Sequence, residues 1–209
     1  LGHRVTELHI VCQGQSQTRQ GDTLLGWWSD VPLSPLGRRQ SLLVAERLQN
    51  DSDITALYTS PLRRAIETTH VIADQVKVVP RKHTDLRELD CGPLEGLTYQ
   101  KAYEKFPELV VHGSQASGNG VESYSRLQSR VAAAFKVIIA ENEEGRIVVV
   151  THGGPIVAYL RYILGHASRY EEGPFFETSP ASIHTLRFEG ETHTVVRLND
   201  TSHLADGPN

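Results

Sequence analysis

Residues 146–155 read Arg-Ile-Val-Val-Val-Thr-His-Gly-Gly-Pro, and residues 8–14 read Leu-His-Ile-Val-Cys-Gln-Gly. Each is a short, β-branched apolar run that stops at a polar residue followed by glycine, the pattern of a strand and its exit. In an open α/β sheet the space beyond a strand's carboxyl end is where ligands bind. One of these ends carries His152 and the other Gln13. The stretch 147–150 is apolar without interruption, which predicts a strand buried on both faces.

Working outward, strands are expected at 7–11, 54–58, 76–79 and 147–150. Ser34-Pro35 opens a helix with a natural N-cap and proline at the first helical position, and Leu42, Leu43, Ala45 and Leu48 continue it. Ser60-Pro61 repeats the device, predicting a helix over 61–74 with Leu62, Ala65, Ile66, Thr69 and Ile72 inward. Helices are also expected over 99–106, 123–139 and 155–164. Residues 182–188 and 194–198 alternate about Glu189-Gly190-Glu191 and read as an edge hairpin. Strands alternating with helices of 10–15 residues make this an α/β sandwich, mostly parallel in its centre, with an antiparallel edge. Residues 86–96, irregular and glycine-punctuated, carry Glu88, Asp90 and Glu95. With the short helix and the small-residue loop at 112–120 they are expected to form a lid. Trp27 and Trp28 lie in a polar loop, either as a packing anchor or as a lid wall.

The chain has 209 residues, a net charge of -4, 39% hydrophobic and 22% charged residues. That is enough for one large domain spanning 1–209 and ordinary for a globular protein. The charge argues against a general nucleic-acid or membrane-surface role. No apolar run approaches the ~20 residues of a membrane span, and no secretory h-region is evident, so a cytoplasmic protein is expected. Cys12 and Cys91 are too few for a disulfide framework or a closed zinc site. No metal or cofactor is implied. The hairpin strand at 194–198 offers an edge at which two copies could pair as a homodimer.

Chemistry concentrates at a few positions. Arg64 falls in the first turn of the second helix, and His152-Gly153-Gly154 leads from strand into helix. Backbone N–H groups at a helix start, a guanidinium and an imidazole are what a phosphate monoester needs. Glu88 can supply a general acid over the same place. In order along the chain, these segments resemble the histidine phosphatase superfamily, the phosphoglycerate-mutase-like fold, from about residue 7 to residue 204. Leu33-Ser34-Pro35-Leu36-Gly37-Arg38-Arg39-Gln40 is similar to the family's first helix opening. Thr59-Ser60-Pro61-Leu62-Arg63-Arg64-Ala65 matches its second, Leu86-Arg87-Glu88-Leu89-Asp90-Cys91-Gly92 its acid-bearing loop, and Val148-Val149-Val150-Thr151-His152-Gly153-Gly154 its second histidine motif. The resemblance implies a three-layer sandwich with a small helical lid insert at about 97–121. It also implies phosphate binding by Arg64, His152 and Gly153, and Glu88 as the acid.

The same resemblance exposes a departure. The family's Arg-His-Gly, whose His becomes phosphorylated, stands here as Cys12-Gln13-Gly14. An amide nitrogen is not a usable nucleophile, and Cys12 removes a positive charge from the phosphate cradle. Arg19 stands where many members carry Asn. Losing a nucleophile costs on the order of 10⁶ in kcat by analogy with serine hydrolases, roughly 8 kcal/mol of barrier. The first expectation is therefore a degenerate member, inactive or severely impaired, that binds a phosphorylated small molecule or an anion or acts through protein contacts. The alternative is an active phosphomonoesterase with a site rearranged around His152 and cradled by Arg64 and Arg19. A Cys12 thiolate nucleophile is a weaker rescue, because six residues rather than five separate it from Arg19. Phosphoglycerate mutase activity would need the missing histidine more strictly still. His9 lies on the same side of its strand as Gln13 but too deep to serve. Trp27, Trp28, Tyr99, His112 and Tyr124 are the residues expected to shape the ligand space.

Overall fold

The computed structural model describes residues 5–17, 23–50, 53–111, 120–166, 174–190 and 192–205. Arg19, His112 and most of the 112–120 loop thus lie outside the described residues. The elements are β1 (Thr6–Cys12), α1 (Pro35–Asn50), β2 (Ile54–Thr59), α2 (Arg63–Val76), β3 (Arg81–Lys82), α3 (Tyr99–Lys105), α4 (Pro107–Val111), α5 (Tyr124–Glu141), β4 (Arg146–Thr151), α6 (Gly153–Ile163), β5 (Ile183–Glu189) and β6 (Thr192–Asp200).

The sheet order is β3-β2-β4-β1-β5-β6. β1, β2, β3 and β4 run parallel, and β5 and β6 add antiparallel strands at one side. Side-chain alternation divides the core between two faces. Val11, Leu57, Val148 and Val150 pack with Val44, Ala45 and Leu48 of α1 and Ala65 and Ile72 of α2. Leu8, Ile10, Ile147 and Val149 pack with Leu127, Val131, Phe135 and Ile138 of α5 and Tyr159 of α6. The expected sandwich, parallel in its centre and antiparallel at its edge, is the observed architecture.

Local chemistry explains where the helices start. Gly37 N–H donates to Ser34 Oγ at 3.0 Å, so the expected cap forms and α1 begins at Pro35. The second cap does not form. Leu62 occupies that position without a side-chain bond, and the helix begins at Arg63. Ser60 Oγ instead accepts from Leu62 N–H at 3.3 Å and meets His152 at 2.7 Å. Along α1 the buried stripe is Gly37, Ser41, Val44, Ala45 and Leu48, while Leu42 is exposed. Along α2, Ile66 is only half-buried and the inward positions include Arg64 and Thr68.

The strand expected at 76–79 is not there. Val76 closes α2, Lys77 adopts a left-handed conformation at φ 59° as its C-cap, and Val79 is exposed. Strand pairing begins at Arg81, five residues after the expected start. The helical insert has its own small core of Cys91, Leu94, Ala102, Leu109 and Val121. Leu24 N–H donates to Leu97 O at 2.9 Å and Gly96 N–H returns a bond to Leu24 O, fastening the segment after the first loop onto it.

Candidate active site

The parallel register sets Cys12 opposite Thr151, so Gln13 and His152 leave neighbouring strands at the same sheet edge. Gln13 N–H donates to Thr151 O at 3.0 Å and holds that relation past the end of the ladder. The turn that follows is fixed by close backbone approach. A Cβ on Gly14 would overlap the Gly37 carbonyl, and one on Gly37 would overlap Gln15 O.

Gln13, Arg64, Glu88, Gly153 and Gly154 line one cavity of about 780 Å³, whose remaining walls are largely apolar. His152 adjoins this floor but has no exposed surface and is not itself a lining residue. Burial, reinforced by Arg64 and Arg130, holds its imidazole neutral, well below the usual histidine range. His152 Nδ1 and Gln13 Oε1 are both buried without a hydrogen-bond partner.

Arg64 is buried to 1% exposure. Its guanidinium donates long bonds to Gly26 O, Ser29 O and Leu25 O at 3.3–3.5 Å. Glu88 Oε2 accepts from Gly154 N–H at 3.3 Å and Oε1 from Leu89 N–H at 2.8 Å. The carboxyl group thus rests against the N-terminus of α6, where a helix favours negative charge. Burial raises its pKa above the ordinary carboxylate range, against the opposing pull of Leu89 N–H and Arg64. The upward shift makes the protonated form, the one that can donate, easier to reach than in an ordinary carboxyl group.

The Glu88 loop is tied down by residues that the sequence did not single out. Arg130 of α5 donates to Asp85 O, Arg87 O and Glu88 O at 2.7–2.8 Å and forms a two-pronged pair with Glu122. Glu122 Oε2 also accepts from Asp90 N–H at 3.2 Å. Thr151 Oγ donates to Leu86 O at 2.7 Å, fixing the same loop to the end of β4. Trp27 is the packing anchor: its indole N–H donates to Glu88 O, and the Arg87 guanidinium lies 3.8 Å from its ring centre. Trp28 is 80% exposed. Tyr99 and Tyr124 line the cavity as expected.

Cys12 is 3% exposed, and burial beside Glu88 pushes its thiol up to about 12. That is the opposite of what an attacking thiolate needs, so the Cys12 rescue fails. His9 is buried between Thr185 Oγ, 3.2 Å from Nδ1, and Glu7, 3.1 Å from Nε2. It belongs to the sheet, as expected, and not to the cavity.

Residues 8–201 match the profile of the histidine phosphatase superfamily (branch 1). The chain belongs to that family. It is 34% identical over 184 residues to phosphoglycerate mutase-like protein 4 of Arabidopsis thaliana, covering 85% of this chain and 78% of that protein. It is 29% identical over 212 residues to a metal-independent phosphoserine phosphatase of the same plant, covering 96% and 84%. Among solved structures, Bacillus stearothermophilus YhfR superposes with a TM-score of 0.85 at 24% identity, over 95% of this chain and 99% of that one. Relatives named as phosphatases and mutases lend no support to a degenerate member as the default reading. Among the described residues, no helix is long and apolar enough to cross a membrane.

Proposed function

We propose that this protein hydrolyses phosphate monoesters of small molecules through a site rearranged around His152. The observation that carries the reading is the convergence of Arg64, Glu88 and the Gly153-Gly154 start of α6 on one cavity, at the sheet edge where His152 leaves its strand. A guanidinium and a helix N-terminus facing the same space favour an anion there, and the family supplies the expectation of phosphate.

In this reading the phosphoryl group enters between Arg64 and the start of α6, taking the place that the Glu88 carboxyl now holds at Gly154. With Nε2–H donating to Ser60, His152 keeps its lone pair on Nδ1. An N–P bond forms there as the ester P–O bond breaks, and the Glu88 proton passes to the leaving oxygen. Water then attacks phosphorus, Glu88 takes the water proton, and Nδ1 is released. His152 is covered in this conformation, and in this reading Gln13, which lines the cavity from the neighbouring strand end, gives way to the phosphoryl group. Gln13→Ala therefore speeds turnover instead of slowing it.

The test is to trap the intermediate. Brief exposure to p-nitrophenyl phosphate, an alkaline quench and peptide mapping should place an acid-labile phosphate on His152. Turnover with no phosphate on His152 would overturn the rearranged site.

A second reading, capture of a phosphomonoester without turnover, is favoured by one observation. Gln13 stands where the family's nucleophile belongs. It predicts phosphate-ester binding that is unchanged by substrate chemistry and a hydrolysis rate equal to the uncatalysed one.

A further inference from the structure

The cavity extends well beyond the phosphate end, and its far part says what the alcohol half of the ester should be. Leu24 enters it from the segment that crosses to the insert. Leu89 comes from the acid loop, and Leu109 and Tyr99 come from the insert itself. Phe175 and Phe176, from the segment before β5, line it too. Two of these aromatics remain open to water, Tyr99 at 60% and Phe175 at 59% exposure. Large exposed rings at the rim of an apolar cavity gain the most from a ligand that covers them.

The charges point the same way. Among the described lining residues Arg64 is the one cation, and it belongs to the phosphate end. The other ionisable groups on the wall include two carboxyls, Glu88 and Glu122. Neighbouring cations are turned elsewhere. Arg130 is held by Glu122 and three carbonyls, and Arg87 lies on Trp27. Arg161 sits behind the wall, against the Tyr124 and Phe175 rings at 5.0 and 5.7 Å. Against the described wall, a carboxylate on the alcohol half would be stripped of water next to apolar side chains and near Glu122, with no cation among the described lining residues except Arg64 at the phosphate end.

Building on the phosphomonoesterase reading, we propose that the substrates are monoesters of bulky apolar or aromatic alcohols, and not of hydroxy acids or amino acids. The insert's own core fixes this preference. Leu109 belongs both to that core and to the cavity wall, and Leu89 packs against the same core. The apolar wall is thus the inner surface of the insert.

The experiment is equilibrium binding, which does not depend on turnover. Calorimetric titration with 1-naphthyl phosphate, phosphoserine and 3-phosphoglycerate should give an affinity at least tenfold higher for the naphthyl ester. Tyr99→Asp, which sets a charge at the exposed rim on the insert, an element separate from Arg64 and the start of α6, should abolish that advantage while leaving the affinity for inorganic phosphate within about threefold. Equal or tighter binding of either carboxylate ester would overturn the proposal, as would a naphthyl advantage that survives Tyr99→Asp. Naphthyl binding without hydrolysis would defeat the phosphomonoesterase reading and leave the ligand preference standing. Hydrolysis with the reverse preference would do the opposite.

Discussion

Arg130 shows how much of the position of Glu88, the acid of the proposed reaction, rests on a residue outside the cavity lining. It holds the Asp85, Arg87 and Glu88 carbonyls and one buried carboxylate. Arg130→Met leaves Glu122 buried and uncompensated, an effect of about 3 kcal/mol in stability. If that were all, hydrolysis of every ester would fall alike. With Glu88 as the proton donor of the proposed reaction, the variant should lose activity mainly on esters with poor leaving groups and keep it on p-nitrophenyl phosphate, whose leaving group needs little help. Equal losses on both would reduce Arg130 to a structural part. The sequence made Glu88 and Arg64 visible through motif order but left Arg130 and Glu122 unread. Each looks like an ordinary helix or loop charge, and what distinguishes them is contact with the Glu88 loop, Arg130 with Glu88 across 42 residues and Glu122 with Asp90 across 32. Ser60 is a similar case: its local context spells a helix cap, yet its hydroxyl reaches His152, 92 residues away.

At the scale of elements, the β1–α1 junction is the structural reason for a motif that looks merely like a helix opening. Gly37 lets α1 approach the turn after Gln13 so closely that Gln15 N–H and O are both engaged, by Gln40 and by Ser34 N–H. Gly37→Ala forces the two apart. Overpacking of this kind costs about 1–3 kcal/mol, or a Tm lower by roughly 2–4 °C for each kcal/mol in a domain of this size. It should also weaken phosphate binding, because Gln13 moves with the turn. An unchanged Tm in differential scanning calorimetry would show that the junction tolerates the methyl group. Elements specified locally, such as the Ser34 cap and the apolar β4, were legible in the sequence. The supposed strand at 76–79 was not, because valines at 76, 78 and 79 favour strand by propensity. Packing of Ile72 and Ala73 onto the sheet carries the helix through Val76 instead, and Lys77 ends it.

For the whole molecule, buried imidazoles make stability depend on pH. His184 is neutral and accepts from Asn199 N–H at 3.2 Å, and burial lowers its pKa to about 4. His152 is also held well below the usual histidine range, by burial and Arg64. As pH falls below about 6.5 the unfolded chain takes up these protons and the native chain does not, so stability is full above that value and declines below it. From 6.5 to 4 the His184 contribution alone is about 3 kcal/mol. Glu88, raised by burial, acts with the opposite sign, favouring the native state as pH falls towards its unfolded value. His184→Gln should flatten the decline between pH 6.5 and 4 in urea melts. An unaltered slope would place the acid sensitivity elsewhere.

The measurement that bears most directly on the account is steady-state hydrolysis of 1-naphthyl phosphate by three proteins side by side: the chain itself, Gln13→Ala and His152→Ala. The account predicts turnover by the first, faster turnover by the second, and a loss of at least ~10³-fold in the third. No turnover in any of them, with activity appearing only in the Cys12→Arg/Gln13→His double variant, would contradict it and leave a family member that binds phosphate esters without cleaving them.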